Sequence, residues 1–153
     1  MENRFETFTV LIAKASRCIY KIKTDEMSEY NLKSSHVSCL YYLYKCGAMT
    51  AKELCDMCGE DKANISRAIK FLESKSYIEC ETANGKRYQS LLNLTDSGKL
   101  IGLTISNKID AVLMEASIGL SAKDREVFYK SLASICLNLE NIIKKTDKRR
   151  TYD

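Results

Sequence analysis

The spacing of apolar residues abandons helical steps once, between residues 78 and 94, and that single interruption limits the chain to a helical fold carrying one hairpin. Ile78-Glu79-Cys80-Glu81-Thr82 alternates apolar or β-branched with charged side chains, as a half-exposed strand does. Asn84-Gly85 follows, and both residues tolerate the positive φ that a tight hairpin turn needs. Tyr88 to Leu94 reads as the returning strand, and a two-residue turn sets Ile78 opposite Leu91. A lone hairpin is not stable in water, so this one must lean on the helices before it.

Everything else reads as helix. Phe5, Phe8, Leu11, Ala15, Cys18 and Ile22 recur at steps of three and four, a helical stripe that ends in the polar stretch Thr24 to Lys33. A second helix is expected to start near Ser34 or Ser35, to carry Val37, Leu40, Leu43 and Tyr44, and to stop at a left-handed Gly47. Thr50-Ala51-Lys52-Glu53 is a capping box for a short helix that Gly59 ends, and Asp61 caps the next, with Ile65, Ala68, Ile69 and Leu72 inward. After the hairpin, Thr95 caps a long helix striped by Ile101, Ile105, Ile109, Val112 and Ala116, and Gly119 breaks it. Ser121 opens a last helix with Phe128, Leu132, Ile135, Leu139 and Ile142 on one face. The order is α-α-α-α-β-β-α-α, mainly α with one β-hairpin. The segment Lys144 to Arg150, with five basic residues and one acid, is expected to fray.

Composition narrows the function classes. The 153 residues fit one domain of ordinary size, and 45% apolar content supplies a core. No apolar run approaches the ~20 residues needed to span a bilayer, and the charged start Met1-Glu2-Asn3-Arg4 is unlike a signal peptide, so a cytoplasmic location is expected. The seven cysteines are then expected as reduced thiols. One histidine, no Gly-rich phosphate loop and no nucleophile motif point away from an enzyme, and no cofactor is expected. The net charge of +4 says little by itself; what matters is where the cations sit.

The segment where their placement matters lies between Thr50 and Lys75. Two short helices joined by a glycine turn make a helix-turn-helix, with Cys55 at the crossing and Leu54, Cys58, Ile65 and Ala68 inward. Lys62, Ala63, Asn64, Ser66, Arg67 and Lys70 then face outward, and segment 61–75 holds four cations and two acids. Such a face suits a major groove, because arginine reads guanine, asparagine reads adenine and lysine neutralises phosphate. The hairpin adds Lys86 and Arg87, as the wing of a winged helix-turn-helix would.

The chain also resembles the MarR family of bacterial transcriptional regulators over nearly its whole length. The matching blocks are Leu40-Tyr-Tyr-Leu43 ahead of Gly47, Met49-Thr50-Ala-Lys-Glu53-Leu54-Cys55 and Asp61-Lys-Ala-Asn-Ile65-Ser66-Arg67. Leu72-Glu73-Ser-Lys75 and Leu94-Thr95-Asp-Ser-Gly98 continue the set in order. The resemblance implies a winged-helix homodimer whose first and last helices (1–33 and 118–146) form the dimer contact. Between them, 34–117 would be the DNA-binding region with its long linking helix, and 147–153 a basic tail. It further implies control of transcription at a pseudo-palindromic operator in double-stranded DNA, most often repression, relieved by a small aromatic ligand or by oxidation. Three positions depart from the family pattern: Lys86 replaces an aspartate before the wing arginine, Ser76 a glycine after the recognition helix, and His36 a glutamine. The serine is expected to weaken the left-handed stop there.

Other signals compete with these. Cys55-Asp-Met-Cys58 is a C-x-x-C, but a structural zinc site needs four ligands and no second pair exists, so core packing is the favoured reading and no metal is expected. Cys18 matches the position where peroxide-sensing relatives carry a reactive cysteine, although the tyrosines they use are absent from Lys33-Ser-Ser-His36-Val37. His36, Tyr41 and Tyr44 are candidate lining of a ligand pocket, against a plain aromatic core. Two other functions remain open: a helical protein-interaction module without DNA binding, and a thiol-based redox protein.

Overall fold

The computed structural model describes residues 4–81 and 90–150, with side chains placed for 7–81 and 90–146. Among the described residues, six helices and one strand pair run in the expected order: α1 (Arg4–Glu26), α2 (Ser34–Cys46), α3 (Ala51–Cys58), α4 (Lys62–Ser74), β1 (Ile78–Glu81), β2 (Leu91–Leu94), α5 (Asp96–Ala116) and α6 (Ala122–Arg150). A single 3-10 turn, Ser28–Tyr30, links α1 to α2.

The caps form because each is a local exchange of hydrogen bonds. Thr50 Oγ1 accepts from the Glu53 amide at 3.3 Å, and Glu53 accepts from the Thr50 amide at 2.7 Å. Asp61 accepts from the Asn64 amide at 2.8 Å, Thr95 from Gly98 at 3.1 Å, and Ser121 from Asp124 at 3.1 Å. Gly59 stops α3 at φ 64. At the head of α2, neither serine caps. Lys33 occupies the cap position and its amide donates to Nδ1 of His36 at 3.1 Å, while Ser34 and Ser35 are buried in the first turn. Gly47 ends α2 with φ 85 and ψ −158, a glycine conformation but not the left-handed helical one.

Leu40, Leu43, Leu54, Ile65, Leu72, Ile78, Leu92 and Ile105 form one core, closed at one end by Met27 and Leu32. The hairpin packs on it in a register that differs from the expected one. Ile78 pairs with Leu94 and Glu81 with Leu91, a shift of three residues from a two-residue turn at Asn84-Gly85. The observed pairing sets Ile78, Cys80, Leu92 and Leu94 on the inner face; the expected one would have put Gln89 opposite Cys80 and turned Leu92 outward. Met49 decides the matter further by forming a bridge to the free edge of β2, its amide and carbonyl exchanging hydrogen bonds with Leu92 at 3.2 and 2.9 Å. The hairpin therefore leans on the chain segment before α3.

The chain divides into two compact units within α5, after Asp110. The first holds the core just described. In the second, α6 remains helical to Arg150 rather than fraying after Ile143. No helix among the described residues is long and apolar enough to cross a membrane.

Candidate nucleic-acid interface

α3 and α4 pack through Leu54, Ile65 and Ala68, each almost wholly buried, with Cys55 and Cys58 half-buried at the edge of the contact. With α4 fixed by its inner face, Lys62, Ala63, Ser66, Arg67 and Lys70 stand exposed on the other. Asn64 is different. It is half-buried, and its side-chain amide donates to the carboxylate of Glu60 in the turn. Lys86 and Arg87 lie outside the described residues.

Beside the outward face runs an open cleft of about 530 Å³ between α3, α4 and the hairpin. Lys52, Lys62, Ser66 and Lys70 rim it, and Cys55, Ile69 and Leu92 form its apolar floor. The rim is mainly cationic, with Glu73 the one acid among the lining residues. A polyanion can meet such a rim along its length, because lysines neutralise phosphates as point charges at no fixed angle.

The candidate ligand residues lie elsewhere, each against a different partner. His36 stacks on Phe71, ring centroids 4.1 Å apart and planes 6° apart, with its Nδ1 already accepting from Lys33. Burial, helped by the Lys33 charge, holds its pKa below the ordinary 6.5. Tyr41 meets Tyr42 edge-on at 5.4 Å, and Tyr44 packs against Gly102 of α5, where any side chain would collide with its ring. None of the three lines the cleft beside α4. Cys18 is exposed on α1 rather than turned inward.

Two features escaped the sequence. One is the Met49 bridge, a contact of a single residue pair that leaves no periodic trace. The other is Cys39, fully buried in the core on α2. Among the described residues no group of three or more His, Cys, Asp or Glu is placed to hold a metal ion.

The helix-turn-helix, the hairpin directly after it and the long α5 together decide the architecture. This is the MarR winged-helix fold. A MarR family regulator from Neisseria meningitidis, NMB1585, superposes with a TM-score of 0.80 at 19% identity, covering 94% of this chain and 99% of that one. A MarR family transcriptional regulator from Listeria monocytogenes, solved in complex with a 26mer DNA, gives 0.79 at 20% identity over 92% and 91% of the two chains. In sequence, the uncharacterized HTH-type transcriptional regulator YwaE of Bacillus subtilis is 34% identical over 91 residues, 60% of this chain. The chain spans about half of that relative's length, 53%. No family model matches the sequence.

Proposed function

We propose that this MarR-fold chain is a transcriptional regulator of the MarR family, binding a pseudo-palindromic DNA operator as a cytoplasmic homodimer and acting as a repressor. The observation that carries the reading is the exposed Lys62, Ser66, Arg67 and Lys70 face of a recognition helix whose start is capped and whose opposite side is locked in the core. A protein-interaction groove would favour exposed apolar anchors, and this face has none.

Arg67 is the residue proposed to read a base edge, and its guanidinium fork suits guanine in the major groove. Lys62 and Lys70 neutralise phosphate, with Ser66 and Ala63 permitting close approach. Asn64, bonded to Glu60, orders the turn and reaches a base only by exchanging that bond. Lys86 and Arg87 of the wing supply backbone or minor-groove contacts. Support for two-fold assembly comes from apolar side chains left exposed on α1 and α6. Release is proposed to follow from a small aromatic ligand held near His36, Tyr41 and Tyr44, which would favour a different separation of the two recognition helices.

Selection of bound duplexes from a random pool tests the reading. Enrichment of an inverted repeat with half-sites about one helical turn (~34–36 Å) apart is the expected result. Recovery of a pool no richer in any sequence than the starting one would refute it. Placing the recovered repeat ahead of a reporter gene is expected to lower expression when the protein is present, and raised expression would overturn the repressor assignment.

A further inference from the structure

His36 is the only histidine in the chain, and its ring serves two helices at once. The Lys33 amide donates to Nδ1 at 3.1 Å, which makes that nitrogen the acceptor that closes the head of α2. The ring also lies against Phe71 of α4, centroids 4.1 Å apart and planes 6° apart. Only 7% of the residue is exposed. An imidazole accepts at Nδ1 only when that nitrogen carries no proton, so the form that fits is the neutral one protonated at Nε2.

A second proton would add to Nδ1 and set its N–H against the N–H of Lys33, donor facing donor. The cap then loses its acceptor, and a buried ring gains a charge. The charged groups about it are cations. Lys33 stands at the cap itself, Lys75 at the end of α4 lies 5.8 Å from the centroid of the Phe71 ring, and Lys23 of α1 donates to Ser38, two residues along α2. Acids of the neighbouring elements are engaged elsewhere: Glu53 of α3 with Thr50, Glu60 with the Asn64 side chain, and Asp61 with the Asn64 amide. Among the described residues no carboxylate forms an ion pair with His36. One effect runs the other way, because an imidazolium above an aromatic face gains a cation–π attraction. Burial first, and the Lys33 charge second, outweigh it and hold the pKa of His36 below 6.5.

We propose that His36 is a proton-operated clamp between the head of α2 and α4, closed while its imidazole is neutral and opened by one proton in mildly acidic solution. Opening frees the first turn of α2 and takes the brace from Phe71, in the C-terminal half of α4. The unfolded chain takes up this proton at a higher pH than the folded one. The clamp therefore contributes its full stability above 6.5 and loses it as the pH falls toward the lowered value. It belongs to the fold and stands whatever α4 binds.

A single imidazole makes the test direct. In the unaltered full chain, nuclear magnetic resonance is expected to show the Nε2–H form in neutral solution and a titration midpoint below 6.5. The Lys33 amide resonance is expected to move with the same midpoint. His36→Gln supplies an oxygen that accepts at the same cap position and does not titrate. Denaturant titrations at one protein concentration, near pH ~8 and pH ~5, span the range over which a histidine charges. The unfolding constant of the unaltered protein is expected to rise about fivefold more than that of His36→Gln, the factor carried by one helix cap. Carboxylates titrate in both proteins and cancel in this comparison. Equal pH responses in the two proteins would overturn the proposal. So would an imidazole that titrates at or above 6.5, or a Lys33 amide unmoved by that titration, and neither of these readings needs a variant to fold.

Discussion

Ser76 holds a conformation that serine disfavours. It follows α4 at φ 55, where its amide donates to the carbonyl of Glu73 at 2.9 Å and the Tyr77 amide donates to Leu72 at 3.0 Å. These two bonds are the paired closure that normally ends on glycine, so the stop is made in full despite the serine. What holds it is the other side of the residue. The Ser76 carbonyl accepts from Thr95 Oγ1 at 2.6 Å and from Ser97 Oγ at 2.8 Å, which ties the end of α4 to the start of α5. Ser76→Gly keeps both carbonyl bonds and removes the left-handed strain, at the cost of a freer unfolded chain. We expect a net gain of ~0.5–1 kcal/mol in a denaturant titration. A loss of stability would mean that the serine side chain itself contributes. The sequence marks the family departure at this position but not its outcome, because the compensating hydroxyls lie 19 and 21 residues away.

At the level of elements, four helix starts were legible, while the two ends of α2 and the strand pairing were not. Thr50, Asp61, Thr95 and Ser121 cap as expected, since each cap is settled within four residues of the chain. The hairpin register depends on the burial of Leu92 and on the Met49 bridge, both long-range, and these override the local Asn84-Gly85 signal. The outward face of α4 was legible for the same reason as its caps: a helix pinned by Ile65, Ala68, Ile69 and Leu72 has its remaining positions assigned by geometry. Asn64 is the exception, drawn aside by Glu60. The division of labour proposed between α4 and the wing predicts two distinct failures. Arg67→Ala is expected to lose ~1–3 kcal/mol of preference for the selected operator over scrambled DNA. Lys86→Ala is expected to weaken both alike and to reduce the salt slope by about one unit. Binding isotherms on both DNAs at several salt concentrations separate them. An Arg67→Ala protein with undiminished preference would place base reading elsewhere.

Across the whole molecule, the unused apolar surface matters most. On α1, Leu11 and Ile22 of the expected stripe are exposed, and on α6 so are Phe128, Ile135, Leu139 and Ile142. The stripes were visible in the sequence as regular three- and four-residue steps, but a stripe does not say whether its cover comes from the same chain. Leaving large side chains in rows on two helices is unfavourable for an isolated monomer, and an interface between copies removes the cost. Sedimentation of a Leu132→Glu, Leu139→Glu variant is expected to give monomer or aggregate, and a dimer of unchanged stability would refute the assignment. If those rows are covered only by a second copy, folding and association are one equilibrium governed by mass action. Each tenfold rise in concentration then adds about 1.4 kcal/mol per dimer to the resistance to unfolding, and the melting temperature climbs with it. In such a dimer the exposed rows on α1 and α6 would make durability a property of the population: the scarcer the protein became, the more easily each remaining copy would be lost.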